Sequence, residues 1–259
     1  MKATKIIAVL AVALVAGTMG LTSCSKGKGG SGKVKGELLP EGNFSVELTE
    51  DGSGVIITGY DNKDLLKKDG NYVKKDVIIP STIQGLPVKR INRLGIDLKH
   101  VMTGLVIPDG VEIISRYVFK ECEYLTSVTL PSTLKAIGPE AFYWCKKLAV
   151  CNLPEGLEYI GRDAFCGTAL TSVSLPKSLK YISNKAFEYC NNLAEINIPE
   201  GLEVSLRYED FSSVFGGSEI DKSLALQKLP KETKPKEILK NGAFNEKVRE
   251  LYGIDDPDY

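Results

Sequence analysis

The chain has 259 residues, 43% of them hydrophobic and 25% charged, enough to bury a core as one domain or two. Its 33 basic and 33 acidic side chains cancel, which removes the electrostatic footprint that nucleic-acid binding needs. The single histidine, His100, excludes a His-rich metal cluster and is the one imidazole that a hydrolase triad would have to use.

At the amino terminus Lys2 and Lys5 precede an unbroken apolar stretch from Ile6 to Ala16, followed shortly by Leu21-Thr22-Ser23-Cys24. That stretch is shorter than the roughly 20 apolar residues that cross a bilayer, so residues 1–23 read as a signal peptide. The ending resembles the lipobox of bacterial lipoproteins, and the resemblance implies that Cys24 is diacylated and becomes the new amino terminus. Acyl chains placed there hold a protein on a membrane without crossing it. Ser25 is not the aspartate that retains some lipoproteins at the inner membrane. The expected location is therefore the bacterial cell envelope, at the outer membrane, with surface exposure left open.

Residues 24–36 read as a flexible tether. Gly27 to Lys33 spell both a GxGxxG and a GxxxxGK, yet Val34 stands where a phosphate loop places Ser or Thr, and no apolar strand precedes the glycines. The Gly-Ser-Lys composition suits a leash better than a nucleotide cradle.

Residues 37–76 are expected to form a β cap. Phe44 to Leu48 and Val55 to Tyr60 are strand-like runs on either side of Asp51-Gly52, which predicts a hairpin covering the first open edge of the neighbouring β structure.

A repeat occupies residues 77–203. Pro108, Pro131, Pro154, Pro176 and Pro199 are separated by 23, 23, 22 and 23 residues. Before the prolines stand Leu125-Thr-Ser-Val128-Thr-Leu130, Leu148-Ala-Val-Cys151-Asn-Leu153, Leu170-Thr-Ser-Val173-Ser-Leu175 and Leu193-Ala-Glu-Ile196-Asn-Ile198; after them come Ile114, Ile137, Ile160 and Ile182, then Phe119, Phe142, Phe165 and Phe187. A divergent earlier coil aligns through Pro80 and Ile91 if Gln84 to Val88 are an insertion. LxxLxL is a short strand with alternate residues facing opposite ways, and one such coil cannot bury its own apolar set, so coils stack into a continuous core. Together with Ile-Gly-x-x-Ala-Phe-x-x-Cys-x-x-Leu, as at Ile137 to Leu148, the pattern resembles the BspA-type leucine-rich repeat family of bacterial surface proteins. The resemblance implies a leucine-rich repeat solenoid of about five coils with parallel strands. It also implies a binding role, with adhesion to host matrix or cell-surface proteins.

Residues 204–259 depart from the pattern and are expected to form a partly helical cap and tail. Phe211 arrives one position late, Asp221 to Leu229 and Asn245 to Tyr252 have helix-compatible spacing, and Asp255 to Tyr259 read as a frayed acidic end.

No catalytic constellation, metal site or cofactor motif emerges. Cys122, Cys145 and Cys190 occupy one column, where parallel side chains favour buried thiols over disulfides, and one cysteine per coil does not converge as tetrahedral zinc ligands do. Glu140, Glu155 and Asp163 read as solvated turn residues. Tyr143, Trp144 and Tyr189 are candidates for an exposed aromatic patch. The surface expected to bind is the outward face of the repeat strands: Ser127, Thr129, Asn152, Ser172, Ser174, Glu195 and Asn197, a polar ledge lacking the Trp, Tyr and Arg anchors of hot spots. A protein partner for this ledge is one expectation; a periplasm-facing scaffold or glycan-binding module is the alternative.

Overall fold

The computed structural model describes residues 36–61, 65, 72–199, 205–206, 214–216, 237–238 and 241–256. The signal peptide, Cys24, the tether up to residue 35, the expected helix at 221–229 and residues 257–259 lie outside the described residues.

Alternating short apolar runs dictate the elements. β1 (Glu37–Leu38) is followed by the hairpin β2 (Phe44–Leu48) and β3 (Val55–Tyr60). At its turn Gly52 adopts φ +68°, while Asp51 accepts hydrogen bonds from Thr49 Oγ1 and from the amide and hydroxyl of Ser53. β4 (Lys75–Ile78) opens the first coil, and β5 (Thr82–Ile83) with β6 (Leu86–Ile91) forms a small antiparallel hairpin out of the inserted segment. β7 (Met102–Val106) and β8 (Ile113–Ile114) come next; β9 (Ser127–Thr129) with β10 (Ala136–Ile137), β11 (Val150–Cys151) with β12 (Tyr159–Ile160), and β13 (Ser172–Ser174) with β14 (Tyr181–Ile182) repeat the unit. β15 (Glu195–Asn197), β16 (Ser205–Leu206), β17 (Glu237–Ile238) and the helix α1 (Asn241–Tyr252) complete the described elements.

Two ladders result. The leucine-run strands pair in parallel in the order β1-β4-β7-β9-β11 and, separately, β13-β15. The isoleucine strands stack as β6-β8-β10-β12-β14-β16-β17, with the hairpin β3-β2 on the β6 edge. Ile91, Ile114, Ile137, Ile160, Ile182 and Leu206 are successive register partners, so the insertion in the first coil and the isoleucine column are as the spacing predicts. The hairpin caps this ladder, while β1 alone extends the other.

Between the ladders lies the core. Phe119, Phe142, Phe165 and Phe187 are fully buried, and their rings stack at 5.1, 5.3 and 5.2 Å between centroids. The next ring, 5.4 Å beyond Phe187, is Phe215, and the Phe187 amide donates to the Val214 carbonyl as Phe165 does to Ala186. Val214-Phe215 is therefore the next Ala-Phe pair, displaced by an insertion, while Phe211 lies outside the described residues. Close approach of coils explains the glycine after isoleucine: a Cβ on Gly161 would lie 2.5 Å from the Pro139 nitrogen, and one on Gly138 2.8 Å from the Ser115 carbonyl carbon.

The cysteine column has a local purpose. The Cys145 thiol donates to the Phe119 carbonyl at 3.0 Å and Cys190 to that of Phe165 at 3.2 Å, so each thiol ties its coil to a buried backbone acceptor of the coil before. Thr168 fills the same column in the shorter coil and contacts Cys190 Sγ at 3.2 Å. The five described cysteines are buried thiols, and burial pushes Cys151 up to about 12.

The carboxyl-terminal segment does not fray over its described part. Val248, Tyr252 and Ile254 bury against Ala136 and Tyr159, with Ile113 and Tyr181 alongside; these are the residues that precede each column isoleucine and face away from the core. Asp256, expected to be solvated, is 1% exposed and accepts the Tyr159 hydroxyl at 2.7 Å. Arg90 donates to the carbonyls of Tyr252 and Gly253, and Tyr252 to Glu158. No helix among the described residues is long and apolar enough to cross a membrane.

Candidate functional site

The ledge is formed by strand residues that alternate with the core set. Val128, Cys151 and Val173 point inward, whereas Thr129, Asn152, Ser172, Ser174, Glu195 and Asn197 are exposed and Ser127 is half-buried. Register places Ser127 beside Val150, Ser172 beside Glu195, and Ser174 beside Asn197, whose amide donates to the Ser174 hydroxyl at 3.3 Å.

The ledge is not continuous. Strand pairing stops between β11 and β13, at the coil whose proline interval is 22 rather than 23 residues. Phe142 and Leu148 are six apart, but Phe165 and Leu170 only five; the missing residue lies in the turn feeding β13. A groove of about 480 Å³ opens at this break, lined by Asn152, Ser172, Ser174, Glu195 and Asn197 over Val173 and Ile196. The structure thus gathers five of the seven predicted residues at one hollow. Ser127 and Thr129 stand apart from it, on the strand side before the break. The sequence signal for the groove is the single short interval; Val150, 54% exposed on β11, is an apolar member of the ledge outside the groove's lining.

The groove carries hydroxyls, amides and one carboxylate fixed on strands. None of its lining residues is a histidine, and His100 is elsewhere, stacked on Tyr72 at 5.7 Å with Glu123 at 3.9 Å. Such an arrangement positions hydrogen bonds for a bound chain; it does not activate a nucleophile.

The turn carboxylates need correction. Glu140 and Asp163 are not solvated: they are 6% and 7% exposed, whereas Glu155 is exposed as expected. Lys120 reaches Glu140 at 2.9 Å, Arg162 reaches it at 3.4 Å and Asp163 at 2.8 Å. Ion pairing is what makes their burial tolerable. Asp163, Cys166 and Glu188 bring donor atoms within 4.8 Å of one another, the one such trio among the described residues. Arg162 and Lys185 already neutralise the two carboxylates, and burial, with the carboxylates next to it, pushes the Cys166 thiol up, so the neutral thiol prevails.

Asp163 makes this network sensitive to pH. Burial, opposed by Arg162 and Lys185, raises its carboxyl from 3.8 to about 6. The folded chain then holds an extra proton between those values, so this group's contribution to stability falls as pH rises from about 4 to about 6. Asp163→Asn is expected to be more stable than the parent at pH 7.5, by on the order of 1 kcal/mol after loss of the Arg162 pair, and to lose that difference at pH 4. Urea denaturation at the two pH values checks this; a variant less stable at pH 7.5 than at pH 4, relative to the parent, contradicts it.

Comparison with known proteins agrees with the architecture. Residues 99–214 match the BspA type leucine rich repeat region in six copies. A leucine-rich repeat protein of T. pallidum is similar at 26% identity and TM-score 0.52, over 76% of this chain and 98% of that one. One from Bacteroides ovatus shares the fold at 24% identity and TM-score 0.50, over 63% of this chain and 42% of that one. No curated protein matches the chain.

Proposed function

We propose, from the match of residues 99–214 to the BspA type leucine rich repeat region, that this chain is a lipid-anchored protein of the bacterial cell envelope whose solenoid binds another protein, in adhesion to host matrix or to other cells. Repeats of this family are scaffolds for protein–protein interaction. The groove at Asn152, Ser172, Ser174, Glu195 and Asn197 is the observation that carries the reading. Its groups are held by the parallel strands, so an extended segment of the partner meets fixed hydrogen-bonding positions and little side-chain entropy is lost on the solenoid side. Val173 and Ile196 supply apolar contact area on its floor. The anchor at Cys24 and the outer-membrane location rest on the lipobox resemblance of Leu21 to Cys24, and the chemistry is binding rather than catalysis, with no cofactor, metal or nucleic acid required.

Ser172→Arg combined with Ser174→Arg places two guanidinium groups in the groove without touching the core. The full chain is expected to capture a protein partner and the double variant to lose it, while circular dichroism and Tm stay unchanged. Equal capture by the folded variant would move the binding site off this face.

A further inference from the structure

The turn column two residues past each core phenylalanine holds Glu121, Trp144, Gly167 and Tyr189, and all four adopt positive φ, between 55° and 69°. Amide-to-carbonyl bonds tie them one coil to the next and continue from Tyr189 to Gly216. Glutamate and glycine satisfy this backbone, so the coil does not demand an aromatic ring there. The two aromatic residues nevertheless stand at alternate coils, with Gly167 at the same place in the coil between them, and both are exposed, Trp144 by 37% and Tyr189 by 53%.

The hollow between them has a cause in the fold. The coil between Trp144 and Tyr189 is the short one, and its turn, Gly167-Thr168-Ala169, offers no large side chain. A Cβ on Gly167 would meet the Trp144 ring at 3.3 Å, so the indole leans over the glycine. The result is a hollow of about 330 Å³ walled by Trp144 and Tyr189 and edged by Asn191, Asn192 and Lys146. On the other side of Trp144 a second hollow of about 540 Å³ continues past Tyr143, Glu121 and Glu123. Lys146 Nζ sits 4.6 Å from the indole centroid and borders both.

We propose that this trough binds a β-linked pyranose oligosaccharide. Equatorial hydroxyls leave a sugar ring with an apolar C–H face that stacks on an aromatic ring, while the hydroxyls project to the side, where two amides and an ammonium await them. Strands stack about 4.8 Å apart, so rings two coils apart stand roughly 10 Å apart, a spacing suited to stacking on alternate sugars of an extended chain. A protein side chain entering the same hollow would find only Ala169 as aliphatic floor, whereas hot-spot pockets are dry and apolar. The site is separate from the groove at Ser172 and Ser174 and does not depend on it.

Trp144 is the chain's one tryptophan, so its fluorescence reports this site alone. Titrating the full chain with cellohexaose, laminarihexaose and chitohexaose is expected to give a saturable change with at least one, at a Kd on the order of 1 mM. Tyr189→Ala and Asn192→Ala, both at exposed positions, are expected to weaken it at least tenfold, and Ser172→Arg with Ser174→Arg to leave it unchanged. No saturable change with any of the three sugars, or equal affinity in Tyr189→Ala, overturns the proposal. So does a protein partner whose binding alone alters Trp144 fluorescence and is lost in Tyr189→Ala.

Discussion

Phe142→Ala is expected to cost about 4 kcal/mol of stability, within the range of about 3–5 kcal/mol seen when a buried phenylalanine is truncated. Phe142 is fully buried with Phe119 stacked on one side at 5.1 Å and Phe165 on the other at 5.3 Å. Truncation removes both ring contacts and leaves a void that the neighbours cannot fill, because their backbones are tied coil to coil: Phe119 to Ala141 and Phe142 to Ala164, both at 2.8 Å. In a solenoid each unit is stabilised by its neighbours, so a defect in a central coil loosens two interfaces. Phe142→Leu keeps most of the volume and is expected to lose less than half as much. Urea denaturation followed by circular dichroism reads both, and a Phe142→Ala loss under about 1 kcal/mol would contradict the ladder.

Asp256→Ala is expected to cost about 3 kcal/mol, the range for removing one partner of a buried charged contact. Asp256 is sequestered where α1 and its extension cross the isoleucine strands; Tyr159 donates to it at 2.7 Å and Arg162 Nε lies 3.9 Å away. Without the carboxylate, a tyrosine hydroxyl and an arginine face each other in a space built for an anion. Tyr159→Phe removes one hydrogen bond and is expected to cost about 1 kcal/mol. The double variant is expected to be less destabilised than the two singles added, since they share one contact. Hydrogen exchange at the Val248 amide localises the effect, because the clasp should open before the solenoid does. An Asp256→Ala protein within about 0.5 kcal/mol of the parent would mean that the clasp rests on Val248, Tyr252 and Ile254 alone.

These two positions mark what the sequence makes legible. Phe142 is visible because its column recurs at a fixed interval, and a period of this length forces stacking. Asp256 is invisible because nothing in Asp-Asp-Pro-Asp-Tyr says that a remote arginine and tyrosine await it. The residues that α1 covers, Ile113, Ala136, Tyr159 and Tyr181, precede the column isoleucines and run from isoleucine through alanine to two tyrosines, so no residue type common to every coil flags them as a docking strip. Glu140 and Asp163 were similarly hidden: their column holds Tyr117 and Lys185 in other coils, and their burial depends on Arg162 from the same turns. Phe215 escaped because an insertion displaces it, although the Ala-Phe chemistry returns as Val-Phe.

For the candidate site, the outward strand positions came directly from alternation, while the groove depended on one missing residue in one coil. That deletion shows in the proline spacing but not its consequence, the interruption of strand pairing between β11 and β13. The same shortened turn makes room between Trp144 and Tyr189, so a single length change shapes both faces of that coil.

We propose that the groove at the break in the ledge is where the solenoid holds its protein partner. The most direct measurement is the dissociation constant of the captured partner for the parent chain and for Ser172→Arg with Ser174→Arg, at matched Tm. A rise of at least a hundredfold, about 2.7 kcal/mol, is predicted; affinities equal within a factor of about two would contradict it.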